Sequence, residues 1–584
     1  MRVATAAALI ATLVSCRGLA PRADVPAPLP DAGAPDAAVA EPPDAGTALD
    51  AGAPDAGRPL ELPPSPTDPL AAMYTKRLDF KGGEPQLAIR LMEGSEEVEL
   101  APRGRMRLRA NGDVEKVLEA PAGTRWFVRV TRADPAELIA RVQLAEAPFQ
   151  DRPSLLEEQR VWQERGLATR IHTLGGVYGI AGKVIDNRRL LLLLDEPLAP
   201  SAAKERQAWL MQTYGVRTML FEEVLRPPRG ILEVLDADRT SVLLSQDRIL
   251  AETLDGAGFD VSQVEFGVGY AFHGFEDRSY RGALQLSVAA DGNLAVVNLV
   301  PLEELLKGLV PSEIFARAHP EALKAQAVTA RGEVLAKIGT KHLADPYLLC
   351  SEQHCAVYKG RSGEAPSTTA AVEATRGEAL FSPDGHLVDS VYSAVCGGHT
   401  ENNDVVWGGV PNPSLRGRPD LLPGAKATVP KELSAFLSAD LPMACRLSSF
   451  AQPSKYRWER RFTQAEVDAL TSQLGIGSIR AIAVADRGVS GRARLLTLAG
   501  EKGATQIRGE LNIRRLFGML NSAMVVVGSE KAADGSISWT FRGGGWGHGV
   551  GMCQTGAIGR AEAGQDYREI LRHYFNGAEV APIY

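Results

Sequence analysis

Four groups of residues in this chain have the types and spacing to do chemistry. His342, Cys350, His354 and Cys355 fall in one short stretch, with seven residues between the first two and three between Cys350 and His354. Two thiolates and two imidazoles make the donor set of a tetrahedral zinc site, structural in role because all four positions are filled. A Cys350–Cys355 disulfide and buried free thiols are the alternatives, and Cys396 and His399 are further donors for the same shell. Tyr392 and Ser393 lie on a stretch from Asp389 that reads as a strand running into the turn Gly397-Gly398. Glycines there let the backbone approach a ligand closely, and two hydroxyls can bind a sugar or stabilise developing charge; a strand packing its tyrosine is the equal alternative. The stretch Gly543–Gln554 is too glycine-rich for a helix, and no Gly-Lys-Ser/Thr follows, so it is not a phosphate loop. Trp546 offers an aromatic platform and His548 and Gln554 hydrogen-bonding groups, as in a loop lining a polymer groove. Glu313 follows a proline beside apolar Val310, Ile314 and Phe315, where desolvation would raise its pKa. Taken alone it reads rather as a solvated loop glutamate.

The elements that must position these residues are legible from periodicity. Tyr280–Val288 and Leu294–Val300 alternate as strands around the turn Asp291-Gly292-Asn293. Pro301 opens a helical turn to Gly308, and a helix starts at Pro320 with the apolar stripe Leu323, Ala327, Ala330, Val334 and Ile338. Asp566-Tyr567-Arg568-Glu569 resembles a capping box, opening a closing helix that ends at Phe575. Upstream, residues 78–148 alternate as half-buried strands. Helices are expected at 154–166 and 202–214, a hairpin pairs 177–184 with 190–194 across 185–189, and strands follow at 217–222, 231–235 and 241–244. The class is α+β. Residues 75–260 form a β-rich region that carries no chemical motif.

The first residues set the compartment. Arg2 precedes a short apolar run from Val3 to Val14, the form of a secretory signal. Residues 17–74 are then a tether of Pro, Ala, Gly and Asp in which Asp-Ala-Gly recurs four times. Such a stretch cannot bury enough apolar surface to fold; its reach is about 40 Å. The chain has 584 residues and a net charge of −7, and residues 17–68 hold nine acids against three arginines. The rest is close to neutral, which excludes a nucleic-acid partner by bulk charge. No His-Glu-x-x-His occurs, so a zinc hydrolase of that type is not expected.

Leu13-Val14-Ser15-Cys16 resembles the lipobox of bacterial lipoproteins, which implies removal of residues 1–15 and acylation of Cys16. The body resembles the SpoIID/LytB family of sporulation peptidoglycan lytic transglycosylases and amidase enhancers. The resemblance rests on YRGALQLSVAADGNLAVVNLVPLEELLKGLVPSE (280–313), EALKAQAVTAR (321–331), VYSAVCGGHTEN (391–402) and GGGWGHGVGMCQTGA (543–557). It places a family domain at 265–584, with core motifs at 280–430 and 535–584. The chain departs from the family pattern at Gly332-Glu333, where Thr-Tyr is usual, and at Cys553 and Thr555, where Ser and Tyr are usual.

The resemblance implies that Glu313 is the catalytic acid. It implies that Arg331, Tyr392, Ser393, Trp546, His548 and Gln554 bind substrate, and that the His342–Cys355 loop carries zinc as in some members. A hydrolase usually needs a second carboxylate; Glu401 and Asp404 are the candidates. A lytic transglycosylase does not, because the C6 hydroxyl of N-acetylmuramic acid attacks C1 and leaves a 1,6-anhydro end. The expected partners are peptidoglycan glycan strands, a membrane reached through the lipid, and a cell-wall amidase. The alternative is a non-catalytic, glycan-binding amidase enhancer. The expected location is the envelope, exported and lipid-anchored.

Overall fold

The computed structural model describes residues 69–111, 116–214, 216, 218–268, 272–531, 533 and 537–584. The expected signal, Cys16 and the tether up to residue 68 lie outside these. The last residues assigned to the tether belong to the body instead: Pro69–Met73 form a helical turn whose Leu70 is buried. Helices and strands are mixed, as the α+β class requires. Among the described residues no helix is long and apolar enough to cross a membrane.

The central feature is an eight-stranded sheet that runs across the boundary expected at 260–265. Its order is Asp79–Lys81, Glu84–Ser95, Leu294–Pro301, Ala283–Val288, Arg248–Thr253, Met106–Ala110 and Lys116–Ala120, with Leu349–Cys350 added in parallel beside Glu84–Ser95. The Ala283–Val288 and Leu294–Pro301 pair is the hairpin expected around Gly292. Leu87, Ile89 and Leu91 alternate into the same core as Leu284, Leu286, Val296 and Val300. Asn298 is buried there and satisfied: its amide donates to the carbonyls of Arg281 (2.8 Å) and Ala283 (3.0 Å), and it accepts from the Tyr358 hydroxyl (3.1 Å).

A four-stranded sheet of Met219–Arg226, Glu137–Pro148, Arg189–Leu194 and Thr169–Leu174 has its own small core with helices Arg152–Glu164 and Pro200–Tyr214, through Leu155, Trp162 and Leu210. The hairpin expected across 185–189 is different here. Val177–Ile180 pairs with Lys183–Asp186 around a turn at Ala181-Gly182, both at positive φ. Arg189–Leu194 lies between two other strands, because five consecutive leucines suit a strand covered on both faces rather than a half-exposed hairpin arm. A third core, around Trp458, Phe517, Trp539 and Phe541, is built from residues 457–541.

Two helices carry the site. Helix α1 (Leu302–Glu313) runs five residues past the expected stop at Gly308 and through Pro311. The proline removes one helical hydrogen bond, but Leu302, Leu305, Leu306, Leu309 and Val310 are all buried, and that burial holds the helix to its end. Helix α2 (Pro320–Lys337) starts at the proline as expected, yet it is buried on nearly every side rather than along one stripe. Its alanines at 322, 325, 327, 330 and 336 admit neighbours all round.

Candidate active site

Glu313 is the last residue of α1; the chain then turns extended at Ile314. Burial and the nearby Glu333 carboxylate push its pKa up to about 7, against the pull of Lys337 and of bonds from the Val357 amide and the Tyr392 hydroxyl. Its place at the negative end of a helix acts in the same direction. Two residues on, Phe315 stacks on Phe450 with ring centroids 5.1 Å apart.

Tyr392 reaches Glu313 from a two-residue strand, β1 (Tyr392–Ser393), paired in parallel with β2 (Met552–Cys553). The expected longer strand from Asp389 is not formed. Gly551 (φ 69°) makes the pairing possible, since a Cβ there would lie 2.1 Å from the Val391 carbonyl oxygen. The Tyr392 hydroxyl faces both the Glu313 and Glu333 carboxyls, so it stands between the two. A phenol has one proton: it donates to one carboxylate and accepts from the other group when that is protonated. Lys337 donates to Glu333 at 2.7 Å and to the Cys355 carbonyl at 2.7 Å, while burial raises the Glu333 pKa. Asp389, whose charge also faces Glu333, is paired with Arg189 (3.1 Å) of the four-stranded sheet.

Glu333 was not a sequence candidate. It comes close because Gly332 packs on Ser390: a Cβ would lie 2.4 Å from the Ser390 hydroxyl oxygen, and that hydroxyl donates to the Thr329 carbonyl at 2.8 Å. The Gly332-Glu333 departure from the family pattern was the available signal. Glu401 and Asp404, the candidates for a second carboxylate, lie elsewhere. Glu401 is fully buried, accepting from the amides of Asn402, Val489 and Ser490 and from the Ser490 hydroxyl (2.7 Å). Asp404 pairs with Arg416.

The glycine-rich loop frames Tyr392 and Glu313. Helix α3 (Gln554–Glu562) begins at Gln554, whose amide donates to the Glu313 carbonyl (2.9 Å) and to Gln326 (3.1 Å), fixing the end of α1. His548 donates from Nε2 to the Tyr392 carbonyl (2.9 Å) and accepts at Nδ1 from the Val550 amide (3.0 Å). Burial lowers its pKa to about 3, so it is neutral and positions Tyr392. Trp407, 55% exposed, sits 5.1 Å from the His548 ring and was not a sequence candidate. The expected platform, Trp546, has the Lys455 ammonium 5.0 Å from its ring. Ser393 is buried with its hydroxyl unpaired. Residues 457–541 steady the opposite turn through buried Arg492, which donates to the carbonyls of Cys396 (3.0 Å) and His399 (3.1 Å).

Arg331 is not placed to bind substrate. It is fully buried, bidentate on Glu303 (2.7 and 2.8 Å), and donates to the Glu378 carbonyl (2.8 Å). Glu303 also takes the Gly377 amide and the Tyr584 hydroxyl. Arg331→Ala is therefore expected to cost about 3–5 kcal/mol of stability by leaving a buried carboxylate unpaired, with glycan affinity of the folded fraction unchanged. Denaturant unfolding alongside a binding isotherm checks both.

His342, Cys350, His354 and Cys355 do converge, with their ligating atoms within 4.8 Å of one another. His342 Nε2 lies 3.1 Å from Cys355 Sγ, and His354 Nδ1 lies 3.6 and 3.8 Å from the two sulfurs. The other nitrogen of His342 is bonded to Asp345 at 2.8 Å, the outer carboxylate that orients metal-binding histidines. These residues fit a metal ion. His399 instead faces the Thr400 carbonyl, and Cys396 belongs to a different cluster.

Known proteins resemble this chain in sequence. The family model described as Stage II sporulation protein, SpoIID, matches residues 290–381, which include Glu313, Glu333 and the His342–Cys355 loop. The chain belongs to the SpoIID/LytB family. A second family model, a domain of unknown function (DUF8618), matches residues 401–551 and so covers the third core and most of the glycine-rich loop. An uncharacterized protein of Brachyspira hyodysenteriae is 30% identical over 319 residues, 53% of this chain and 74% of that one. The amidase enhancer of Bacillus subtilis is 28% identical over 302 residues, 47% of this chain and 40% of the enhancer. Stage II sporulation protein D of Bacillus amyloliquefaciens is 26% identical over 323 residues, 53% of this chain and 82% of that protein. Against the family pattern, the unusual feature of this member's site is Glu333.

Proposed function

We propose that this protein acts on the cell wall as a lytic transglycosylase that cuts peptidoglycan glycan strands, with Glu313 as the catalytic residue. The observation that carries the reading is a carboxyl with its pKa raised to about 7, held by Tyr392 at the end of a buried helix. The names of the amidase enhancer and sporulation relatives support the substrate class. Protonated Glu313 gives its proton to the glycosidic oxygen. The bond from that oxygen to C1 of N-acetylmuramic acid breaks, and the neighbouring sugar leaves as an alcohol. The Glu313 carboxylate then takes the C6 hydroxyl proton as that oxygen bonds C1, which closes the 1,6-anhydro ring and restores the acid. No water is consumed.

In this reading Glu333 is a positioning residue. It accepts the Tyr392 proton and its charge keeps Glu313 protonated near neutrality. Tyr392, Trp407, Trp546, His548 and Gln554 line or frame the glycan path. Because Glu313 must be protonated, the rate falls as pH rises through about 7. Glu333→Gln removes a facing negative charge and leaves the Lys337 cation unopposed, with Tyr392 uncharged and Asp389 still paired to Arg189. The alkaline limb of the rate–pH profile should then move down by about one unit. A limb that stays in place would assign Glu333 no electrostatic role.

The His342–Cys355 loop holds a structural zinc in this account, with four protein ligands and no open position. The protein is exported and anchored through acylated Cys16. Cys16→Ala should move it from the membrane to the soluble fraction on fractionation; continued membrane association would count against the lipid.

The function is tested by incubating the full chain with purified glycan strands, with and without stem peptides, and sizing the fragments. Shortened strands support it. Intact strands, with faster release by a co-incubated cell-wall amidase, would establish the second reading, a non-catalytic enhancer, which the 28% identity to a protein of that name favours.

A further inference from the structure

Four ligating groups outside the active site converge from four separate segments. The sulfurs of Cys396, Cys445 and Cys553 and a carboxylate oxygen of Asp420 all lie within 4.8 Å of one another, and all four residues are buried. We propose that they form a second metal site, a closed three-thiolate, one-carboxylate shell for a divalent ion of the zinc class.

Cys396 Sγ lies 3.7 Å from Cys445 Sγ and 3.5 Å from Asp420 Oδ2. Zinc bonds of about 2.3 Å to sulfur and 2.0–2.2 Å to oxygen give tetrahedral edges of about 3.5–3.8 Å. The spacing is that of ligands around one centre. Cys553 Sγ accepts from the amides of Cys396 (3.1 Å) and Gly556 (3.3 Å), bonds that favour a thiolate. Asp420 is oriented from behind. The Tyr574 hydroxyl (2.8 Å) and Arg560 (3.2 Å) donate to Oδ1, and the Cys445 amide (3.2 Å) donates to Oδ2. Arg560 also offsets part of the negative charge of such a shell, and carboxylates and thiolates buried this deeply are otherwise costly. A single disulfide among three thiols would leave one unpaired.

The location gives the ion a consequence. Cys553 pairs with Ser393 across β1 and β2, and it caps α3, whose first residue, Gln554, holds the Glu313 carbonyl. Cys396 opens the turn that Arg492 clamps. The ion would tie together the pieces that set Tyr392 against Glu313 while touching no substrate.

Metal analysis of the full chain prepared with zinc tests this independently of the glycan reading. Two zinc ions per chain are expected, falling to one in Cys445→Ala and to one in Cys350→Ser/Cys355→Ser. If the His342 loop binds none, the wild type carries one, and only Cys445→Ala loses it. Zinc X-ray absorption on the wild type needs no variant: more than two sulfur ligands per zinc supports the proposal. Two sulfurs per zinc, full metal content in Cys445→Ala, no metal in the wild type, or a Cys396–Cys445 disulfide in peptide mapping would each overturn it.

Discussion

Glu313→Gln should slow glycan cleavage by about 10²–10⁴-fold while leaving glycan binding intact. The amide keeps the volume and can donate to the Tyr392 oxygen as the protonated acid does, but its N–H is not a transferable proton. The surfaces proposed to meet the glycan, at Trp407, Trp546 and β1, are untouched by the change. Stability separates this outcome from misfolding. The folded pKa of Glu313 is raised, so its ionisation destabilises the fold as pH rises through about 7. Glutamine carries no such charge, and the variant should match the wild type at about pH 4, below the unfolded value of 4.5, and be the more stable of the two at pH 8. Thermal melts at the two pH values, with single-turnover rates on purified strands, check both halves. Cleavage at the wild-type rate would pass the acid role to Glu333, the other carboxyl on the Tyr392 hydroxyl.

Cys350→Ser/Cys355→Ser should lose one metal ion and most of the order of the loop between residues 342 and 358. Structural zinc contributes on the order of 10 kcal/mol in small domains, and only part of that is expected in a body with a large independent core. The effect should still reach the active site. Lys337 spans Glu333 and the Cys355 carbonyl, and the Val357 amide donates to Glu313, so the loop and the two carboxylates share a network. Limited proteolysis should show new cleavage near 342–358, and the rate should fall with the metal. Oxidised Cys350 and Cys355 with no metal would establish the disulfide instead.

What the sequence made legible follows from locality. The hairpin around Gly292, the helix opened by Pro320 and the Asp566–Glu569 capping box are set by residues a few positions apart, and all three form. The convergence of His342, Cys350, His354 and Cys355 was legible for the same reason. Glu333 was not, because its approach to Glu313 depends on Gly332 packing against Ser390, a contact between segments far apart in the chain. Arg331 and Glu401 show the converse: residue type and motif pointed to the groove, but each is saturated by buried partners that no local pattern reveals. Cys396, Cys445 and Cys553 were individually visible, but their meeting with Asp420 required the fold. The region 75–260 carried no motif, and its strands in the central sheet and its Arg189 beside Asp389 are long-range placements that no local pattern reveals.

The central claim, bond cleavage by an internal hydroxyl with Glu313 alone exchanging protons, is tested most directly by digesting glycan strands in water enriched in heavy oxygen. Mass analysis of the new ends should show 1,6-anhydro termini, each one water lighter than a reducing end and free of the label. Reducing ends carrying one heavy oxygen would contradict the account and make the protein a hydrolase.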